Sequence, residues 1–229
     1  MIQVFNFSGT GHSKVLADYF AKKLNTDNIS MGRNTCTKEL ACTTAIIVFP
    51  VYCQNIPEPV KNFLQSIKAE YAVLIATYGK KGYGNVLYEA KKLIKSTVIA
   101  GACVPTGHTY LNEPADFSTN ELDVIFDRIN KPEEADIPKE RKVFFADIFP
   151  GLRSRLSVKL IKNDSCNSCG HCTDICPMQA MKNGKGNSKC IRCLRCVYEC
   201  PATALDFTLS PILKKYLSHD NIAPYKIYL

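Results

Sequence analysis

No stretch of this 229-residue chain approaches the roughly 18 consecutive apolar residues of a membrane-spanning helix. Its best apolar runs, Ala45 to Phe49 and Tyr71 to Ala76, are strand-sized, so no membrane span is expected. No basic residue precedes Lys14 and no small-residue cleavage site follows an apolar start, so a secretory leader is not expected and the cytoplasm is the expected compartment. Tryptophan is absent, which leaves the 11 tyrosines and 11 phenylalanines to supply any flat aromatic face. Also missing are a nucleophile beside a base and a pair of carboxylates spaced for acid and base work, so any catalysis would come from a bound cofactor.

Apolar residues make up 46% and charged residues 22%, the balance of a globular chain with room for one domain and a smaller companion. The net charge of +8 is uneven: residues 1–150 carry 17 basic and 16 acidic side chains, residues 151–229 carry 12 and 5. A basic half raises the question of nucleic acid. Here Lys182, Lys185, Lys189, Arg192 and Arg195 lie among cysteines, and anionic metal centres would account for them, so no nucleic-acid partner is expected.

There are twelve cysteines, eight of them in close spacing. Without an export leader this points to metal or redox chemistry rather than disulfides. Cys166, Cys169, Cys172 and Cys176 precede Pro177; Cys190, Cys193, Cys196 and Cys200 precede Pro201, so CxxCxxCxxxCP occurs twice, 24 positions apart. Three thiolates on one tight loop grip three irons of a cube, and the fourth, starting the next helix, points toward the other cube. The expected ligand sets are Cys166, Cys169, Cys172 and Cys200 for one 4Fe-4S cluster, and Cys190, Cys193, Cys196 and Cys176 for the other. Structural zinc also uses CxxC pairs, but the third cysteine and the closing CP favour iron and sulfide. Over about 40 residues the segment resembles the bacterial two-cluster ferredoxins.

The first half alternates β-rich runs, Ile2 to Phe7, Asn28 to Ser30, Ile46 to Phe49, Val73 to Thr77 and Val98 to Val104, with helical periods. Val15 to Leu24 and Val86 to Ile94 read as helices. Val60, Phe63, Leu64 and Ile67 share one helical face, as do Leu122, Ile125, Phe126 and Ile129. Five strands alternating with four helices predict an α/β fold with a five-stranded parallel sheet, whose ligands bind beyond the carboxyl ends of the strands.

Three loops should meet at that edge. Ser8, Gly9, Thr10, Gly11, His12 and Ser13 lead from the first strand into a helix, with hydroxyls and free amides suited to a phosphate. No lysine follows Gly11, so this is not a P-loop, and an ordinary glycine-rich turn is the plain alternative. The third strand runs into Pro50, Val51, Tyr52, Cys53, Gln54, Asn55 and Ile56. The fourth runs into Thr77, Tyr78 and Gly79 and on to Tyr83, Gly84 and Asn85. Tyr52, Tyr78 and Tyr83 could face an isoalloxazine ring, and Lys80 and Lys81 could stabilise its reduced anion.

Residues 1 to 130 are similar to flavodoxin, in which a hydroxyl-rich first loop holds the FMN phosphate and the next two hold the ring. His12, where the family more often has asparagine, and the lack of tryptophan are departures. The order of the two halves resembles a family of flavodoxin and ferredoxin fusions. That resemblance implies electron transfer between two 4Fe-4S clusters and FMN with redox proteins as partners. A flavin-dependent reductase of a quinone, metal ion or small organic acceptor, or a docking module with an empty flavodoxin-like domain, are the alternatives, and whether the chain acts as an enzyme stays open. The expected organisation is a flavodoxin-like domain over 1–140, a linker over 141–160, a smaller ferredoxin-like domain over 161–208 and a tail over 209–229. The cysteine domain facing the flavin edge could belong to the same chain or to a second copy in a homodimer. Cys36, Cys42, Cys53 and Cys103 are expected to be bystander thiols. His108, His171 and His219 have no catalytic partner in the sequence, and His171 is expected to shape solvent access at the first motif.

Overall fold

The computed structural model describes residues 1–32, 41–143, 146–148, 150–219 and 222–229; the expectation for Cys36 lies outside the described residues. The chain divides into two compact units, Met1–Phe144 together with Ile222–Leu229, and Phe145–Asn221.

The first unit is a mixed α/β structure around a mostly parallel sheet. Its strands are β1 (Ile2–Asn6), β2 (Asn28–Ser30), β3 (Ala41–Pro50), β4 (Lys68–Tyr78) and β5 (Thr97–Pro105), joined by β10 (Lys226–Tyr228) in the order β2-β1-β3-β4-β5-β10. The first five run parallel. A sixth strand was not expected: the end of the segment read as a tail pairs antiparallel with β5, Lys226 opposite Cys103 and Tyr228 opposite Gly101. It satisfies backbone groups that β5 would otherwise leave open at the sheet edge.

Helices cover both faces, which is why the central strands are continuous apolar runs rather than alternating ones. Helix α1 (His12–Leu24) buries Leu16, Ala17 and Phe20 against Val4, Ile46, Val48, Val73 and Ile75, and α4 (Asp123–Asn130) adds Ile125 and Ile129 to the same cluster. Helix α2 (Glu58–Ser66) stacks Phe63 on Phe5 with ring centroids 4.9 Å apart, and α3 (Val86–Leu93) buries Val86, Leu87 and Ala90. Gly11 (φ 99°) precedes α1, and Asn25 (φ 49°), also left-handed, ends it.

The second unit is small. Helix α5 (Pro150–Ser157) leads into β6 (Val158–Lys162), which pairs antiparallel with β9 (Leu205–Leu209). Between them lie α6 (His171–Asp174), the hairpin of β7 (Met181–Lys182) and β8 (Lys185–Gly186), and α7 (Arg195–Tyr198). Helix α8 (Pro211–Ser218) follows, capped by Ser210, whose Oγ accepts from the Leu213 amide at 3.3 Å. Met181, Cys196 and Leu205 form its core, with Cys172, Cys176 and Cys200 packed against them. Among the described residues no helix is long and apolar enough to cross a membrane.

Candidate functional site

The two cysteine motifs fold as near copies. Each begins with an asparagine whose Oδ1 accepts from an amide two residues on: Asn163 from Ser165 at 3.0 Å, Asn187 from Lys189 at 2.9 Å. Ser168 (φ 59°) and Arg192 (φ 57°) then turn left-handed, as do Gly170 (φ 83°) and Leu194 (φ 65°), which precede α6 and α7. Left-handed backbone costs non-glycine residues energy. The reversals bend each loop tightly enough to turn three thiols inward.

The hydrogen bonds also exchange the fourth cysteine. The Asn163 amide donates to the Ala204 carbonyl at 3.0 Å, and the Asn187 amide to the Ala180 carbonyl at 2.8 Å. The start of each motif is therefore tied to the end of the other. One pocket is lined by Cys166, Cys169, Cys172 and Cys200. A second is lined by Cys190, Cys193, Cys196 and Cys176. The amides of Ala180 and Ala204 donate to Cys176 Sγ and Cys200 Sγ at 3.2 and 3.3 Å. Small residues at these places let the backbone come that close.

A set of soft sulfur donors around an apolar pocket suits iron and sulfide. Burial pushes the thiols of Cys193 and Cys196 up to about 12, and a bound cation would favour the thiolate by taking the proton's place. His171, the first residue of α6, lines the first pocket beside Cys172.

At the carboxyl edge of the first unit's sheet, the loop after β1 is held from both sides. Ser8 Oγ accepts from the Gly11 amide at 3.0 Å, and Thr10 Oγ1 lies 3.1 Å from Thr109 Oγ1. Ser13, expected to face a phosphate, is buried and bonds Thr77 Oγ1 at 2.8 Å, because a side chain in the first turn of α1 points back onto the sheet. His12 bonds the backbone of Gly107 and Glu113, and burial lowers its pKa.

The expected ring loops are largely engaged with the protein itself. After Pro50 the strand pairing continues through Val51, whose amide donates to the Thr77 carbonyl at 2.8 Å. Tyr52 and Asn55 then close a turn on each other, with Cys53 (φ 51°) and Gln54 (φ 61°) both left-handed, and Ile56 is buried beyond it. Gln54 Oε1 accepts from the Val143 amide, Asn55 Oδ1 from Lys142 Nζ and Asn85 Oδ1 from the Glu140 amide, each at 2.9 Å. A β-carbon on Gly84 would come within 2.8 Å of Gln54 Cβ, so the two loops are packed together.

Tyr78 and Tyr83, read as aromatic faces for a ring, are 3% and 8% exposed and meet edge to face at 5.0 Å. Tyr78 Oη donates to the carbonyls of Ala223 and Pro224 at 2.9 and 2.7 Å. Of the three tyrosines only Tyr52 remains partly exposed.

Sequence reasoning missed the loop after β5. His108 accepts at Nδ1 from the Tyr110 amide at 3.2 Å, its own amide donates to Glu113 Oε2 at 2.8 Å, and its ring covers Gly79 so closely that a β-carbon there would sit 2.5 Å from Cδ2. Burial pushes His108 down to about 4, leaving it neutral at pH 7. Lys80, expected to face a flavin edge, lies 3.6 Å from the same Glu113. The available signal was position: Gly107 and His108 follow a strand ending at the same edge as the other three loops.

Residues 159–201 match the family of 4Fe-4S dicluster domains. Among solved structures, the Trp repressor binding protein from Bacillus subtilis aligns at 16% identity with a TM-score of 0.38, covering 59% of this chain and 100% of its own. No curated protein matches the chain. With the doubled cysteine motif, the match identifies a ferredoxin-like 4Fe-4S dicluster domain near the C-terminus, an iron-sulfur module suited to electron transfer.

Proposed function

We propose that this protein carries electrons singly through two 4Fe-4S clusters, one held by Cys166, Cys169, Cys172 and Cys200 and the other by Cys190, Cys193, Cys196 and Cys176. The observation that carries this reading is that each pocket is lined by three cysteines of one motif and the fourth of the other. When bound, such clusters supply reversible one-electron transfer. The chain's part is to turn the thiols inward, donate the Ala180 and Ala204 amides to sulfur and exclude water with Met181, Leu205 and Leu160. Lysines and arginines around the motifs offset the negative charge. Redox proteins are the partners this chemistry calls for. Anaerobic reconstitution tests the reading: about eight irons and eight sulfides per chain are expected, with a reduced-state electron paramagnetic resonance signal. Four-sulfur zinc sites, or two irons per chain, would overturn it.

A second reading concerns the first unit, which we infer to be a flavodoxin-like FMN domain. It is favoured by the strand order β2-β1-β3-β4-β5, in which β1 and β3 lie at a topological switch point with a crevice beyond their carboxyl ends. Ser8, Thr10 and the backbone from Gly9 to His12 would hold the phosphate, and Tyr52 would flank the ring. Acid extraction of anaerobically purified protein tests this. FMN near one per chain supports it, and a chain that neither carries nor takes up FMN leaves the first unit as a docking module for a redox partner.

A further inference from the structure

The two cysteine motifs are copies in backbone but not in charge. The residue immediately before the second cysteine is Ser168 in the first motif and Arg192 in the second, both left-handed. Arg192 Nη1 donates to Cys190 Sγ at 3.2 Å. Its Nε is buried and has no hydrogen-bond partner among the described residues, while the side chain lines the same pocket as the thiols. Arg195, four residues before Glu199, is neutralised by that carboxylate at 2.9 Å; among the described residues no carboxylate pairs with Arg192. Room for the guanidinium comes from Gly186 on β8, where a β-carbon would lie 2.9 Å from Nη1 and 3.2 Å from Cys190 Sγ.

A buried donor without a partner is costly, and a cation without a counter-charge more so. Thiolates and sulfide in this pocket would satisfy both demands at once. Reduction adds one negative charge to a cluster, and a fixed cation within hydrogen-bond distance favours the reduced form. Hydrogen bonds to sulfur and net charge are among the factors that set cluster potentials. Burial of Cys190 and Cys196 alone would act the other way, by disfavouring added charge. Arg192 is half-buried and its Nε is buried, so at hydrogen-bond distance from the sulfur its attraction is only partly screened by water and salt and is the stronger effect. In the first motif Cys169 is exposed and Ser168 brings no charge.

We propose that Arg192 makes the two clusters unequal, holding the one on Cys190, Cys193, Cys196 and Cys176 at the higher reduction potential, so that an electron shared by the pair rests in the second motif. This rests on the two-cluster reading above, and iron analysis separates the two failures. A chain without eight irons sinks that reading, whereas a fully loaded chain tests Arg192 itself.

The experiment is a potentiometric titration of the reconstituted full chain followed by electron paramagnetic resonance, comparing wild type with Arg192→Gln, Arg192→Lys and Gly186→Ala. In Arg192→Gln the upper of two midpoints falls by about tenfold in the reduction equilibrium, which is about 59 mV for one electron, and the lower midpoint stays. Arg192→Lys, keeping the charge without the planar fork, falls by less. If Arg192→Gln loses iron, Gly186→Ala answers in its place: its β-carbon displaces Nη1 from sulfur and lowers the same midpoint. A loaded variant in which neither midpoint moves, or in which both move equally, overturns the proposal.

Discussion

Tyr78 donates its hydroxyl to the carbonyl of Pro224 at 2.7 Å, across 146 residues of chain. The same oxygen reaches the Ala223 carbonyl at 2.9 Å, and the Ala223 amide returns a bond to the Lys80 carbonyl at 2.7 Å. The end of the chain is thereby fixed to the loop after β4. Tyr78→Phe removes the hydroxyl that donates to both carbonyls and is expected to cost about 0.5 to 1.5 kcal/mol, the net range for a hydrogen bond to partly exposed acceptors. Hydrogen exchange is the measurement: amides of β10 and of Gly101 to Cys103 on β5 should exchange faster in the variant, with the iron-sulfur absorbance unaltered. Equal exchange would show that the strand is held without this bond.

A second anchor of β10 depends on pH. Lys226 and Tyr228, two residues apart and so on one face of the strand, both reach Glu140 Oε1, at 2.5 and 2.7 Å. The bond from Lys226, then that from Tyr228, holds the Glu140 carboxyl below its usual range, and Glu140 in turn raises Lys226. A depressed carboxyl contributes stability above its ordinary pKa that is lost as pH falls through the folded value. A raised ammonium contributes below its ordinary pKa and loses this as pH rises through its folded value. The anchor is therefore strongest between the two, and because both groups are partly exposed it is worth about 0.2 to 1 kcal/mol. Protection of the β10 amides should weaken in wild type as the pH falls below about 4.3, the ordinary glutamate value, and stay flat in Glu140→Gln. A Glu140→Gln profile as steep as wild type would assign the loss to another group.

These contacts explain which parts of the molecule were legible in the sequence. The doubled CxxCxxCxxxCP could be read directly because its chemistry lies in spacing along the chain. The parallel strands were readable from apolar runs, and α2 and α4 from the spacing of Val60, Phe63 and Leu64 and of Ile125 and Ile129. Strand β10 was not, because it falls outside the alternation of strands and helices and its partner lies more than a hundred residues earlier. Tyr78 and Tyr83 looked like ring faces because tyrosine beside a strand end suits either a ligand or a core. What decides between these is Pro224, remote in sequence. The partner of Ser13 is likewise invisible in the sequence: the helix starts at His12, three residues earlier than Val15, and the Ser13 hydroxyl bonds Thr77.

Thr10 and Ser13 consequently separate binding from folding. If FMN occupies the loop after β1, Thr10→Ala is expected to weaken FMN by about 1 kcal/mol, the loss of one hydrogen bond, with little change in stability. Ser13→Ala strips Thr77 of a buried partner and is expected to destabilise the first unit by about 1 kcal/mol, with FMN affinity little altered. Fluorescence titration with FMN and denaturation followed by circular dichroism make the comparison. Weaker FMN binding in Ser13→Ala than in Thr10→Ala would reverse the assignment.

The crossing of the fourth ligands gives the sharpest test of the cysteine chemistry. Cys176 belongs by sequence to the first motif yet lines the pocket of Cys190, Cys193 and Cys196, and Cys200 lines that of Cys166, Cys169 and Cys172. The ties from Asn163 to Ala204 and from Asn187 to Ala180 hold this exchange in the backbone. A serine in place of one thiol keeps the fold and offers a harder donor that iron accepts less well. Cys176→Ser should therefore disturb the cluster of the second motif and Cys200→Ser that of the first, each leaving the other four irons in place. The comparison variants are Cys193→Ser and Cys169→Ser, which remove a ligand whose pocket is not in question. Cys176→Ser should share its paramagnetic spectrum and iron content with Cys193→Ser, and Cys200→Ser with Cys169→Ser. The opposite pairing would mean that each motif keeps its own fourth cysteine.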